Sequence, residues 1–127
     1  MLEFYFYRQT NPSKRDLQLY DSLEGLISKW GEEGDNIESS DIVLADITRM
    51  DTEQAYLLGR SSQQRKNICF YREMKNSNPE KILGTEDTVR YDKKEETMKE
   101  INSMISEYVR DIMRSVHHKI AEYIDDR

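Results

Sequence analysis

The sequence predicts a three-layer α/β domain: a doubly wound, Rossmann- or flavodoxin-like, mostly parallel sheet of about four strands, with a long C-terminal helix. Three observations predict it. Short apolar or aromatic runs alternate with helix-length periodic segments, an order that requires crossover connections between parallel strands. One run, Ile42 to Ile47, is almost continuously apolar and β-branched, the pattern of a strand covered on both faces. Finally, 127 residues with 36% hydrophobic content and only 5 Gly and 2 Pro suit one helix-leaning domain, not two cores or a low-complexity chain.

Taken in order, residues 2–7 (Leu-Glu-Phe-Tyr-Phe-Tyr) are short and aromatic, and the breaker cluster Thr10-Asn11-Pro12-Ser13 bounds them, as a first strand requires. Ser13 or Asn11 can cap the next segment. There Leu17, Leu19, Tyr20, Leu23, Leu26, Ile27 and Trp30 recur at spacings that define an amphipathic helix ending at Gly31. Glu32 to Ser40 is polar and reads as a connection. The Ile42–Ile47 strand and a polar turn over Thr48–Thr52 follow, and Ala55 to about Gln64 forms a second helix. Asn67–Tyr71 is the third strand, Asn76–Gly84 a loop with at most one helical turn, and Thr88–Tyr91 a short fourth strand. From about Lys93 to Ile124 one helix carries an apolar stripe from Met98 through Ile124. Residues 1–127 thus form one domain, with 1–92 its α/β core and 93–127 the long helix. At about 1.5 Å per residue this helix is longer than the domain is wide, so its end is expected to bury against a second subunit, making a homodimer.

Composition narrows the function. Nineteen Lys and Arg against 25 Asp and Glu give a net charge of -6 and a pI near 5.0, which disfavours a footprint on polymeric nucleic acid. Mean hydropathy is -0.90, yet 8 Tyr, 3 Phe and 1 Trp supply what a folded core needs. No apolar run reaches the ~20 residues of a membrane span, and the opening residues lack the basic flank and cleavage site of a signal peptide. A cytoplasmic protein without membrane association is therefore expected. Cys69 lies in the run Ile68-Cys69-Phe70-Tyr71 with no thiol motif around it, so a buried strand thiol is the expectation. His117 and His118 point about 100° apart on a helix and lack partners at ligand spacing, so no metal is expected, and Met98, Met104 and Met113 on the apolar stripe are explained by packing, so no cofactor is expected either.

In a doubly wound fold ligands bind beyond the carboxyl ends of the strands. Three features fall there. The loop Arg8 to Arg15 carries cations and polar donors suited to a phosphate, with Arg8, Thr10, Asn11 and Lys14 as candidate ligands, or it is an ordinary polar loop. Asp46 ends an apolar strand and can hold a ribose hydroxyl or form a turn. Asp51-Thr52-Glu53-Gln54 opens the second helix, where acidic residues commonly serve as caps.

Ser40-Asp41-Ile42-Val43-Leu44-Ala45-Asp46-Ile47, Ala55-Tyr56-Leu57-Leu58-Gly59-Arg60 and Lys66-Asn67-Ile68-Cys69-Phe70-Tyr71-Arg72 resemble the nucleoside 2-deoxyribosyltransferase superfamily, where the corresponding segments read "DVVVAE", "YELGRA" and "KRILCLFR". The 2'-deoxynucleoside 5'-phosphate N-hydrolases resemble the chain most, because their opening "LYFCGSIRGG" and "LYERI" can be laid without gaps on Phe4 to Leu23. The resemblance implies a nucleoside or nucleotide ligand and an ancestral cleavage or transfer at its N-glycosidic bond. By position it puts Tyr5, Asp46, Asp51 and Arg60 around the sugar and nucleotide. The glutamate of "YELG", which stabilises the anomeric carbon, falls on Leu57, and leucine can do neither that nor attack. Glu53, one turn earlier on the same face, is then the candidate catalytic carboxylate. The family also has a further strand and helix before "DVVVAE" that this chain replaces with Glu32 to Ser40. Three readings follow: an N-glycosidase using Glu53, a degenerate member that binds a nucleotide or a protein without turnover, and a TIR-like domain, whose "DIVIADLT" strand Asp41 to Thr48 also resembles.

Overall fold

A computed structural model describes residues 2–61, 66–72 and 88–125. Five parallel strands form one sheet in the order β2-β1-β3-β4-β5: β1 (Leu2–Tyr7), β2 (Gly31–Glu33), β3 (Ile42–Asp46), β4 (Lys66–Tyr71) and β5 (Thr88–Arg90). Helices α1 (Lys14–Trp30), α2 (Thr52–Ser61) and α3 (Lys94–Asp125) complete the described elements, with one 3-10 turn at Ile37–Ser39. The order is the flavodoxin-like one, in which the chain first winds outward from β1 and then back past it to β3.

Alternation along the strands builds two cores. Phe4, Phe6, Ile42, Leu44, Ile68 and Phe70 face α1 and α3, meeting Leu19, Leu23, Ile27, Ile101 and Ile105. Val43, Ala45 and Cys69 face the other way onto Ala55 and Leu58 of α2. The fold is therefore a three-layer α/β arrangement, and Cys69 is a buried strand thiol. No helix among the described residues is long and apolar enough to cross a membrane.

One strand escapes the sequence pattern. Gly31–Glu33, which the sequence reads as helix end and connection, pairs with Leu2–Phe4 along the sheet edge. Three residues of Gly-Glu-Glu carry no apolar alternation, so backbone pairing alone defines this strand. A Cβ at Gly31 would lie 2.0 Å from the Leu2 carbonyl oxygen, so only glycine fits there. Because β2 spans only about 10 Å, residues 34–41, with the single 3-10 turn at Ile37–Ser39, suffice to return the chain to the start of β3 without an α-helix. That return is pinned to β1: Gly34 N–H donates to Phe4 O, Asp41 N–H to Glu3 O, and Glu3 N–H to the Asp41 carboxylate at 2.8 Å.

Helix α1 starts as expected at Ser13. Its hydroxyl accepts from Asp16 N–H at 3.1 Å while the Asp16 carboxylate accepts from Ser13 N–H at 2.9 Å, a complete capping box. Asp51 caps α2 in the same manner, its carboxylate accepting from Gln54 N–H at 2.7 Å. The expected loop at Asn76–Gly84 and the end of the second helix beyond Ser61 lie outside the described residues.

Candidate functional site

Because β2 and β3 flank β1, the chain reverses its winding between β1 and β3, and a crevice opens at their carboxyl ends. A cleft of about 130 Å³ lies there. Tyr7, Gln9, Thr10 and Asn11 line it from the end of β1, and Asp46, Thr48, Arg49 and Met50 from the end of β3, with Gln54 of α2 closing the rim. Arg49 holds a left-handed backbone with φ of 53°, which turns the chain sharply from β3 towards α2.

Beneath the cleft runs a buried polar network. The Asp46 carboxylate is saturated: Oδ1 accepts from Thr48 N–H at 2.9 Å and from the Thr48 hydroxyl at 2.6 Å, and Oδ2 from the Tyr20 hydroxyl at 2.6 Å and the Gln9 amide at 2.9 Å. These four close donors, with the Tyr91 hydroxyl a more distant fifth at 3.4 Å from Oδ2, fill the roughly four lone-pair directions that a carboxylate offers. A second buried carboxylate, Asp16, accepts from the Tyr91 hydroxyl at 2.6 Å and from Arg72 through Nε and Nη2, both at 3.2 Å. Thr48 joins the two, since its hydroxyl lies 3.3 Å from that of Tyr91 and accepts from Arg72 N–H at 3.0 Å.

The aromatic core aims this network. Phe6 meets Tyr20 edge to face at 5.5 Å between ring centres, and Phe70 meets Tyr91 at the same distance, so packing below fixes where both hydroxyls emerge. Burial pushes both tyrosines well above their ordinary value, and hydrogen bonding to Asp46 and Asp16 respectively adds to it. Both remain protonated donors. For Asp16, burial pushes the carboxyl up, but the hydrogen bonds from Arg72, Tyr91 and Ser13 together outweigh it and hold it below the usual carboxylate range. Arg72 is raised in turn, chiefly by its bond to Asp16.

The residues singled out in the sequence divide into two groups. Asp46, Thr10 and Asn11 sit in the cleft. Arg8 does not, because its guanidinium lies on Glu33 at 2.7 Å and Glu24 at 2.9 Å and stacks 4.1 Å over the Phe6 ring. Those two carboxylates, with β2 bringing Glu33 alongside, turn the cation to the sheet edge. Lys14 opens α1 on the exposed surface. Tyr5 is half-buried against the α2-side core, one pleat below Tyr7, which reaches the cleft instead. Asp51 is spent on capping α2, and Glu53 stands exposed beside Gln54, the residue of that turn that does line the cleft. Leu57 is 55% exposed on the outer side of α2, and the Arg60 side chain lies outside the described residues.

Sequence reasoning missed Asp16, Tyr20, Thr48, Arg72 and Tyr91. The Ser13-x-x-Asp16 box was a readable signal for Asp16 as a cap, and Arg72 falls just past a strand end. The tyrosines read as ordinary core aromatics. Among the described residues no three His, Cys, Asp or Glu side chains converge as a metal would need. His118 pairs with Glu122 at 3.0 Å on the exposed face of α3.

No family model, curated protein or solved structure matches the chain.

Proposed function

We propose that this chain is a nucleoside- or nucleotide-binding member of the nucleoside 2-deoxyribosyltransferase-like superfamily that holds its ligand in the β1/β3 cleft without cleaving it. One observation carries the reading. Asp46 is the sole carboxylate among the described lining residues, and four donors within the protein already occupy it. N-glycosidic cleavage needs a carboxylate with a lone pair directed at the anomeric carbon. Neither the exposed Glu53 nor Leu57 supplies one.

What remains suits recognition. The Tyr7 ring offers a face for a base, and the amides of Gln9, Asn11 and Gln54 offer paired donors and acceptors of the kind that match base edges and sugar hydroxyls. Both helix N-termini beside the cleft are capped from within the chain, α1 by the Ser13 hydroxyl together with the Asp16 carboxylate and α2 by the Asp51 carboxylate, so the usual seats for a phosphate are taken. A neutral nucleoside is therefore the better fit, and the cation among the described lining residues is Arg49.

The test incubates the protein with nucleosides, deoxynucleoside monophosphates and NAD, follows melting, and looks for free base by chromatography. We expect a nucleoside-dependent rise in Tm, removed by Asn11→Ala with the ligand-free Tm unchanged, and no base release. Release of base that Glu53→Gln abolishes would overturn the reading in favour of an enzyme. We propose further that the chain forms a homodimer through α3, whose distal apolar stripe stands exposed at Met113, Val116, Ile120, Tyr123 and Ile124.

A further inference from the structure

Helix α3 has 32 residues, about 48 Å at 1.5 Å per residue. A domain of this size has a radius of gyration of only about 14 Å. Met98, Ile101, Ile105, Tyr108 and Val109 pack on the core formed with α1 and the sheet. Beyond Val109 the same stripe continues at spacings of three and four through Met113, Val116, Ile120 and Tyr123, but these side chains are 46 to 64% exposed. The distal 16 residues thus form a rod of about 24 Å. Its apolar side points in the direction in which the domain's own core lies one level lower.

That continuity restricts how two copies can meet. We infer that the two α3 rods pair antiparallel across the stripe, each copy's core sitting beyond the tip of its partner's helix; this rests on the self-association proposed above. In a parallel pair, with rods about 10 Å apart, both cores would have to occupy the same space between the helices, since each lies on the stripe side of its own α3. An antiparallel pair separates them. Each core then lies past the end of the other helix, and the stripes overlap along their full exposed length. In this register Val116 layers on Ile120 of the partner subunit and Met113 on Tyr123 of the partner subunit, alternating as apolar positions do in a two-helix seam.

The area fits an interface that forms and dissociates. Covering the five exposed side chains removes on the order of 500 Å² per copy, or roughly 1,000 Å² in all, at the lower edge for a specific interface. Dissociation in the micromolar range is expected, with Asp111 and Arg114 outside the seam.

Sedimentation of the full chain from 1 to 200 µM, together with oxidative cross-linking of variants that each add one surface cysteine to the chain's buried Cys69, tests this. We expect a concentration-dependent dimer that Ile120→Asp converts to a monomer, with a Tm equal to that of the parent chain at concentrations where the parent is itself monomeric, since Ile120 is surface-exposed in the single chain. His117→Cys, near the two-fold axis, should cross-link to itself. Arg110→Cys should not, but should cross-link in a mixture with Ile124→Cys. A species that stays monomeric throughout overturns both the self-association and its geometry. A dimer in which Arg110→Cys and Ile124→Cys each cross-link to themselves overturns the antiparallel arrangement alone.

Discussion

Asp16→Asn probes the buried network more sharply than any other single change. The carboxylate is fully buried, and it accepts from a tyrosine hydroxyl at 2.6 Å, from both Nε and Nη2 of Arg72 and from the Ser13 amide. Asparagine keeps the shape but loses the charge, and its NH₂ turns one acceptor oxygen into a donor facing donors. Hydrogen bonds to a charged group contribute about 1.5–3 kcal/mol each, and breaking a buried ion pair from one side costs about 3–5 kcal/mol. Arg72 retains about a quarter of its side-chain exposure, so water takes up part of the charge that the Asp16 carboxylate no longer meets. A net loss of about 2–4 kcal/mol near pH 7 follows. The pH dependence has a definite sign. The folded Asp16 carboxyl is held below its unfolded value of 3.8, so its stabilisation is fully present above about pH 4 and fades as acid protonates it. Urea unfolding of both proteins at pH 7 and pH 3 should therefore show a gap that narrows on acidification. A gap under about 0.5 kcal/mol at pH 7, or one that is the same at both pH values, would refute the assignment of Asp16 as a charged clasp.

Gly31→Ala places a methyl group 2.0 Å from the Leu2 carbonyl oxygen, so β2 must move off β1; we expect a loss of about 1–3 kcal/mol and faster hydrogen exchange at Glu33, with Gly25→Ala, inside α1 and meeting nothing within 4 Å, as the control of opposite sign that should gain about 0.5–1 kcal/mol. Phe70→Ala empties the fully buried position that supports both Phe6 and Tyr91, and it should cost about 3–5 kcal/mol by denaturation.

The layers of the fold were legible wherever side-chain pattern and backbone state agree. Ile42–Asp46 announced itself because both faces are covered, and α1 because Ser13 and the leucine periodicity mark its start and its buried side. The edge strand Gly31–Glu33 was not legible, since its pairing depends on the backbone of β1 and on a glycine that leaves room for it, neither of which leaves a period in the sequence. The consequence is functional. It is β2 that makes β1/β3 the switch point, and it also brings up Glu33, which draws Arg8 out of the site.

The candidate site was legible by location and not by chemistry. Strand-end reasoning finds Thr10, Asn11 and Asp46 because topology alone dictates where a crevice opens. It misjudges roles because a role depends on what else reaches the same atoms. Asp46 looks like a sugar ligand until Tyr20, Gln9 and Thr48, from three other positions in the chain, fill its oxygens. Glu53 and Gln54 illustrate the same limit at one-residue resolution: adjacent helical positions differ by about 100°, which leaves the carboxylate in solvent and the amide on the cleft. That rotation favours binding over turnover, because it puts a neutral hydrogen-bonding group at the rim while the one carboxylate among the described lining residues stays committed to the protein's own donors.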